Sequence, residues 1–201
     1  MTAPSARIAR VYETHVTVRC PSEAEAARLG AWAAERGLKL GTIVLARGRM
    51  TVQPMLTLPD RTGHPAVVAG LRAAGFEPVR VKVETVPWST EPAGPGGGYF
   101  EHHVKLALPA GHDRAALEAL VVPYGAHVSW NARRVLPGPG GRHERFVTRR
   151  HPGPAAEAAG ACDTFTATLL AAGYEVVAEE RELVLSDSDL SVDEGWLEAS
   201  A

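Results

Sequence analysis

An internal similarity constrains the fold of this chain more than any other feature of its sequence. Residues 12–40 align with residues 100–128 without a gap, and residues 71–79 match residues 169–177. The matches keep the same order along the chain, while the offset between them grows from 88 to 98 residues. Ordered matches of this kind are typical of a repeated structural unit, so the sequence predicts two copies of one fold.

Hydrophobic periodicity predicts the same order of elements in both copies. Residues 11–20 alternate between apolar and polar side chains, which is typical of a half-buried strand. The following stretch begins with Ser22, a residue favoured at a helix N-cap, and ends with Gly37, as helices often do. The remaining patterns complete the order β-α-β-β-α-β, which is the ferredoxin-like unit. We therefore predict an α+β fold: two tandem ferredoxin-like repeats whose antiparallel sheets face each other across a charged cleft.

These patterns divide the chain into four segments. A linker rich in Gly and Pro separates the two repeats, and such a composition is typical of a flexible connection. The predicted segments are a first ferredoxin-like repeat at 1–88, the linker at 89–98, a second repeat at 99–186 and an acidic C-terminal tail at 187–201.

Composition limits the partners that the chain can have. The 201 residues carry a net charge of −2, which gives no long-range attraction to nucleic acid or to an anionic membrane. We find no apolar run of the ~20 residues that a spanning helix needs and no apolar leader. Two cysteines, Cys20 and Cys162, are too few for a disulfide framework. We therefore predict a cytoplasmic protein with a small-molecule ligand, no nucleic-acid or membrane partner, and strand edges that could pair in a homodimer.

The two copies carry a carboxylate and an imidazole at the same spacing. Glu13 and His15 lie two residues apart in the first predicted strand, and Glu101 and His103 repeat this spacing in the second copy. Side chains two residues apart in a strand point to the same face, here the one away from the helices. Two histidines and two carboxylates form a ligand set that suits Fe, Mn, Ni or Zn. The sequence therefore predicts one divalent metal ion bound by these four residues.

The neighbouring strands carry further polar residues on the same face. A carboxylate there could act as a general base, and a cation could orient an anionic group of a substrate. The predicted function is a metal-dependent enzyme that acts on a small polar or anionic molecule in the cleft between the repeats. The predicted groups are Lys82, Glu84 and Glu182 for catalysis, and Gln53, Arg134 and Arg145 for substrate binding.

A phosphate-binding tunnel is an alternative interpretation. The run Glu101-x-His103-x-Lys105 resembles the Glu-x-Glu-x-Lys opening of the triphosphate-tunnel proteins, a family that joins two ferredoxin-like halves, although a His replaces its second Glu. The resemblance implies a hydrolase-like function, with Glu180 and Glu182 as the later acidic pair. The phosphate ligands that it implies are Arg47, Arg49, Arg133, Arg134 and Arg145.

A non-catalytic interpretation is also open. The charged side chains of the cleft could pair with one another, for example Lys82 with Glu13 or Glu101, in a ligand-binding or assembly module. Geometry distinguishes the three interpretations. A metal site needs the two histidines close together, a phosphate tunnel needs inward arginines, and a module needs complete pairing without a cavity.

Overall fold

The chain forms a barrel surrounded by helices. A computed structural model describes residues 11–109, 111–132 and 142–196, and these contain eight strands and four α-helices. The strands are β1 Tyr12–Arg19, β2 Lys39–Leu45, β3 Val52–Leu58, β4 Glu77–Thr85, β5 Tyr99–Leu108, β6 Ala126–Asn131, β7 His143–Pro152 and β8 Val176–Asp187. The helices are α1 Glu23–Glu35, α2 His64–Ala73, α3 Arg114–Val121 and α4 Ala155–Ala171, with 3-10 turns at Val122–Tyr124 and Leu190–Asp193. None of the described helices is long and apolar enough to cross a membrane.

All eight strands belong to one closed antiparallel sheet. Around the barrel they follow the order β1-β3-β2-β6-β7-β5-β8-β4, and β4 pairs again with β1. The two halves of the chain meet at β2–β6, where Ile43 lies opposite Asn131, and at β4–β8, where Lys82 lies opposite Asp187. Each strand therefore has two neighbours.

The prediction of two tandem ferredoxin-like repeats with separate sheets facing each other is wrong. The outer strands that would bound two separate sheets pair with each other instead, so the duplicated ferredoxin-like units and the cleft between them do not describe this fold. Closure is favourable because an open edge leaves backbone N–H and C=O groups without partners, and a barrel removes every edge. The predicted homodimer rested on such edges and stays a prediction without that support.

The apolar faces of the strands point outward and pack against the helices. In the first half, Val16 and Leu56 pack with Leu29 and Trp32 of α1 and with Leu71 of α2. In the second half, a matching cluster forms between β5–β7 and α3 and α4. Its central residues are Val104, Leu106, Val147, Leu117, Phe165 and Leu169. Because side chains alternate along a strand, the polar residues between these positions point into the barrel.

Helix α1 begins and ends where the sequence predicts. The hydroxyl oxygen of Ser22 accepts a hydrogen bond from the backbone N–H of Glu25 at 3.2 Å, which satisfies one of the free N–H groups of the first turn. After the helix, Gly37 adopts φ 64°, a left-handed conformation that favours glycine. These two signals fix the length of the helix that covers β1 and β3.

Residues 189–196 cross one end of the barrel, and we call them the C-terminal plug. The indole Nε1 of Trp196 donates to the carbonyl oxygen of Val128 at 3.3 Å, and its ring packs with Leu45 and Ile43. The backbone N–H of Arg49 donates to the carbonyl oxygen of Glu194 at 2.8 Å. Part of the predicted acidic tail is thus integrated in the barrel, whereas residues 197–201 lie outside the described residues.

The predicted Gly/Pro linker runs along the outside of β8. The backbone N–H of Gly94 donates to the carbonyl oxygen of Leu185 at 2.7 Å, and that of Gly98 donates to Val184 at 2.8 Å. A Cβ atom on Gly97 would lie 2.1 Å from the carbonyl oxygen of Leu185. The close approach of the two backbones therefore requires glycine at this position.

Replacing Gly97 by alanine is expected to lower the free energy of unfolding by about 1–3 kcal/mol, because one backbone must move to admit the methyl group. Gly160 in α4 is the matched control, since a Cβ there meets nothing within 4 Å. Alanine at that helical position should leave the stability unchanged or raise it by up to about 1 kcal/mol. Urea denaturation of both variants measures the difference. Wild-type stability of Gly97→Ala would contradict the close packing.

Candidate functional site

The barrel encloses a cavity of about 330 Å³. All eight strands and the C-terminal plug line it. A second pocket of about 400 Å³ lies outside the barrel beside the plug, where Arg19 and Glu77 form an exposed ion pair. The interior cavity is the better candidate site, because it is lined by five buried ionisable residues: Arg80, Lys82, Glu84, Glu101 and Asp193.

The cavity has a closed end and an open end. The plug lies over the end at which β3 and β4 begin, so that Asp193 contacts Gln53 and Arg80 there. The opposite end opens to solvent at Lys39, where β2 begins, and at Glu180 on β8, both of which are exposed. A small molecule would enter from the side of Lys39 and Glu180.

Two histidines project into the cavity with one ring nitrogen fixed by a threonine. Nδ1 of His15 lies 3.2 Å from Oγ1 of Thr57, and Nδ1 of His103 lies 2.9 Å from Oγ1 of Thr148. These contacts arise because β1 pairs with β3 with His15 opposite Thr57, and β5 pairs with β7 with His103 opposite Thr148. The other ring nitrogen, Nε2, of each histidine points toward carboxylate groups.

The carboxylates around the two imidazoles come from four strands. Nε2 of His15 lies 2.8 Å from Oε2 of Glu84 and 3.8 Å from Oε2 of Glu13. Nε2 of His103 lies 3.5 Å from Oε2 of Glu101 and 3.5 Å from Oε2 of Glu182. Ligand atoms of Glu84, His103 and Glu182 all lie within 4.8 Å of one another. Both predicted Glu-x-His pairs therefore reach one region of the cavity, with Glu84 contacting His15 and lying in the cluster with His103.

A buried lysine connects the carboxylates at the centre of the barrel. The ammonium group of Lys82 lies 2.6 Å from Oε1 of Glu84 and also contacts Glu101. Glu101 receives a second cation, because Arg150 donates to its Oε1 at 2.7 Å. Glu101 is therefore paired with both Lys82 and Arg150, whereas Glu84 shares Lys82 without the arginine, which makes Glu101 the poorer metal ligand of the two.

The closed end of the cavity contains a second set of ion pairs. Asp193 of the plug accepts hydrogen bonds from Arg80 at 2.8 Å, from Arg150 at 2.9 Å and from Gln53 at 3.2 Å. Arg80 also forms a two-point contact with Asp187, and the hydroxyl of Tyr99 donates to Asp187 at 2.6 Å. These pairs attach the plug to the barrel wall.

The surroundings of the central groups shift their pKa values. Burial disfavours a charged imidazole, but Glu101 and Glu182 raise the pKa of His103 to about 10. The pKa of His15 is also raised, because Glu84 outweighs the effect of burial. Burial raises the pKa of Glu84, but Lys82 and His15 lower it by more. The pKa of Glu84 is therefore about 2. Burial and the charge of Glu84 raise the pKa of Glu182. The imidazole of His103 is thus protonated at neutral pH when no metal ion is bound.

The structure brings most of the predicted site residues together. The predicted metal ligands Glu13, His15, Glu101 and His103 and the predicted catalytic residues Lys82, Glu84 and Glu182 all line the cavity. Within this set, Glu84 and Glu182 lie in the cluster with His103, whereas Glu13 lies near the open end, 27% exposed.

The predicted substrate-binding residues are more scattered. Gln53 lines the cavity but donates to Asp193 of the plug. Arg145 lies on the outer face of β7, where its guanidinium group stacks over the ring of Trp130 at 5.1 Å. Arg134 lies outside the described residues. Among these three residues, the structure therefore places only Gln53 in the cavity.

Several residues of the site did not emerge from the sequence. Arg150 follows Thr148 by two positions on β7, so strand alternation could have placed it beside Glu101. Asp193 and Trp196 belong to the plug, whose return into the barrel has no counterpart in the periodicity of the strands. For Asp193 we find no sequence signal, whereas Trp196 stands out in the acidic tail as an aromatic residue that could anchor a lid.

Comparisons with known proteins give no information on the function of this site. No protein-family model matches the sequence, and no curated protein matches it either. Among solved structures, the chain is similar to the crystal structure of an unknown protein from Galdieria sulphuraria. The identity is 12%, the match covers 86% of this chain and 98% of that chain, and the TM-score is 0.28. A similarity at this level supports no functional statement.

Proposed function

We propose that the protein is a metal-dependent enzyme whose barrel cavity binds one divalent ion at Glu84, His103 and Glu182, with His15 beside them. The proposal rests on one observation: ligand atoms of these three residues converge within 4.8 Å inside a cavity that a small molecule can enter. A nitrogen and oxygen ligand set of this kind suits Fe, Mn, Ni or Zn. A bound ion would act as a Lewis acid or lower the pKa of a bound water molecule.

The contacts of the histidines support a ligand role. Metal-binding histidines usually donate the N–H of the other ring nitrogen to a neighbouring group, which fixes the ring orientation and the tautomer. Thr148 takes this position at Nδ1 of His103, and Thr57 takes it at Nδ1 of His15. With the Nδ1 proton held there, a neutral imidazole presents its Nε2 lone pair to the cluster.

The charge of the cavity is also compatible with a divalent ion. Metal binding requires a neutral imidazole, so an ion at Glu84, His103 and Glu182 displaces the proton of His103. One positive charge leaves and two enter, beside the carboxylates of Glu84 and Glu182. The ion pairs of Glu101 with Lys82 and Arg150 lie outside this cluster, whereas the contact of Glu84 with Lys82 would change.

The proposed ligand set differs from the one predicted from the sequence. Glu101 is ion-paired with Lys82 and Arg150, so Glu84 and Glu182 replace it as carboxylate ligands. Glu13 is placed between the cluster and the open end, 3.8 Å from Nε2 of His15. We assign Glu13 the role of exchanging a proton with the molecule that enters.

The phosphate-tunnel alternative has less support in the geometry. Arg47 and Arg49 lie at the plug, where they bond to Gly195 and Ser191 instead of facing the cavity. Arg80 and Arg150 face inward but are paired with carboxylates. The plug also closes one end of the barrel, which leaves a pocket with a single entrance.

Metal binding is tested directly on untagged protein. After chelator treatment, we expect titration with Zn²⁺, Mn²⁺, Fe²⁺ or Ni²⁺ in a calorimeter to show about one ion per chain for at least one metal. The variants His103→Gln and Glu182→Gln should lose about a hundredfold or more in affinity, and Thr148→Val about 10–100-fold, since it removes the partner of Nδ1.

Glu180→Gln is the matched control for these variants. Glu180 lies on the same strand as Glu182 and also lines the cavity, but it is outside the Glu84–His103–Glu182 cluster. Its affinity should stay within about twofold of wild type, as expected for an exposed rim charge. No stoichiometric binding of any of the four ions would overturn the metal proposal and favour the non-catalytic module, in which the buried charges only pair with one another.

A further inference from the structure

The charged and the apolar side chains of the cavity lie on opposite walls. Among the described residues that line it, all ionisable ones except Lys39 and Asp193 come from β1, β4, β5 and β8, which are neighbours in the barrel. The opposite wall consists of β3, β2, β6 and β7 and contributes the apolar residues Ile43, Met55 and Phe146 beside uncharged polar ones such as Ser129 and Asn131. We call the inward side chains of these three apolar residues the apolar wall.

The apolar wall is accessible from the cavity. Ile43, Met55 and Phe146 are half-buried, although each belongs to the inward face of its strand. Leu45 and Trp196 extend the apolar surface to the plug, where both are buried. Binding of an apolar ligand group is favourable here, because it removes the water that lies beside this apolar surface.

Two lysines lie beside this wall. The ammonium group of Lys105 lies over the ring of Phe146, 5.0 Å from its centroid. Lys39, at the start of β2, is exposed at the open end on the apolar side of the cavity. Lys105 is also paired with Glu144 at 3.1 Å, and the carboxylates of Glu13 and Glu180 lie at the same open end. These charges therefore do not select the sign of an entering ligand, and an anionic group is assigned from the proposed metal ion alone.

The volume of the cavity limits the size of the ligand. About 330 Å³ corresponds to roughly ten water molecules at about 30 Å³ each. A methylene group occupies a similar volume, so a molecule of roughly ten non-hydrogen atoms would fill the cavity. Larger molecules would have to extend through the open end.

We propose that the ligand is a small amphipathic acid, whose carboxylate reaches the metal ion at Glu84, His103 and Glu182 and whose apolar body lies on the apolar wall. This inference rests on the proposed function, since the metal ion binds the carboxylate. The apolar body is an independent part of it, because it depends on Ile43, Met55 and Phe146 alone.

Calorimetric titration with straight-chain acids tests the inference on the whole protein. Butanoate, hexanoate and octanoate are titrated into zinc-loaded and chelator-treated protein. In the zinc-loaded protein each added methylene should lower Kd about fourfold, up to the roughly ten non-hydrogen atoms of octanoate. Adipate has the length of hexanoate but a second carboxylate, which would lie against the apolar wall, so it should bind at least about tenfold more weakly.

Two methionine variants locate the apolar body. Met55→Gln places an amide on the apolar wall and should weaken octanoate at least about tenfold without changing the zinc content. Met50→Gln is the matched control, because Met50 lines the outer pocket beside the plug and does not line the cavity. If Met55→Gln does not fold, the chain-length series on wild-type protein still decides.

The outcomes separate the inference from the proposed function. Acid binding that requires zinc and strengthens with chain length supports both. Zinc binding with equal affinities for butanoate, octanoate and adipate overturns the amphipathic ligand and leaves the metal site standing. Hexanol and octanol are titrated in the same way. If they bind more tightly with increasing chain length and the protein binds no metal ion, both the proposed function and the carboxylate of the ligand are overturned.

Discussion

Replacing Lys82 by methionine is expected to lower the free energy of unfolding by about 3–5 kcal/mol at neutral pH. The side chain of Lys82 is the cation shared by Glu84 and Glu101, whose side chains are 1% and 2% exposed. Methionine fills a similar volume without a charge, so both carboxylates would keep their burial and lose a partner. Urea denaturation in the presence of a chelator measures the change without a contribution from bound metal.

The loss of unfolding free energy in the Lys82→Met variant should depend on pH. Although burial alone would raise their pKa values, Lys82 and its neighbouring cations lower the pKa of Glu84 to about 2 and that of Glu101 well below its ordinary value. A lowered carboxyl pKa stabilises the folded state above the unfolded-state pKa of about 4.3, and this contribution disappears as the pH falls through the folded-state pKa. Wild type should therefore lose more stability than the variant between about pH 5 and pH 2.

Lys39→Met is the control for Lys82→Met. Lys39 also lines the cavity but is exposed at the open end, so its replacement should change the free energy of unfolding by no more than about 0.5 kcal/mol. A Lys82→Met variant with wild-type stability at pH 7 would mean that the two carboxylates take up protons or solvent at no cost. The buried ion pairs would then have no role in the stability of the barrel.

Asp193→Asn is the second substitution with a large expected effect. The carboxylate of Asp193 lies between Arg80 and Arg150, and its side chain is 3% exposed. Asparagine has the same shape but no charge, so the two buried guanidinium groups keep Asp187 and Glu101 but lose their common counter-ion, at a cost of about 1.5–3 kcal/mol. Because Asp193 attaches the plug to the barrel, we also expect the variant to be cut by protease near residues 189–196 at a faster rate.

The neighbouring residue provides a control for Asp193→Asn. Glu194 is 72% exposed and lies 3.9 Å from Arg49, so Glu194→Gln should change the free energy of unfolding by less than about 1 kcal/mol. Equal protease resistance of both variants and wild type would show that the plug is retained by Trp196 and the backbone contacts alone.

Strand alternation predicted the inward face of the barrel well. Glu13 and His15 on β1, and Glu101 and His103 on β5, all line the cavity, since their strands bury alternate apolar residues against the helices. Local rules are sufficient for this part, because the side-chain period of a strand does not depend on which strand lies next to it.

Closure of the barrel could not be predicted in the same way. The pairing of Ile43 with Asn131 and of Lys82 with Asp187 joins strands that are distant in the sequence, and nothing in either strand specifies the partner. The register of β4 against β8 also shifts between Val83 and Glu84, so counting along regular strands would misplace the residues beyond that point. The predicted ligand set included Glu101 instead of Glu84 for a related reason: the cations that surround Glu101 come from β4 and β7.

The closing pair of strands has a consequence for biosynthesis. β4 ends at Thr85, but its partner β8 extends to Asp187, about 100 residues later. At a synthesis rate of roughly 5–20 residues per second, the edge of β4 stays without its partner for on the order of 5–20 s. Until then the nascent chain presents a hydrogen-bonding edge and a row of charged side chains with no enclosing wall. The barrel can therefore complete its interior only after β8 has been synthesised, and until then the unpaired edge of β4 is a site at which the nascent chain can aggregate.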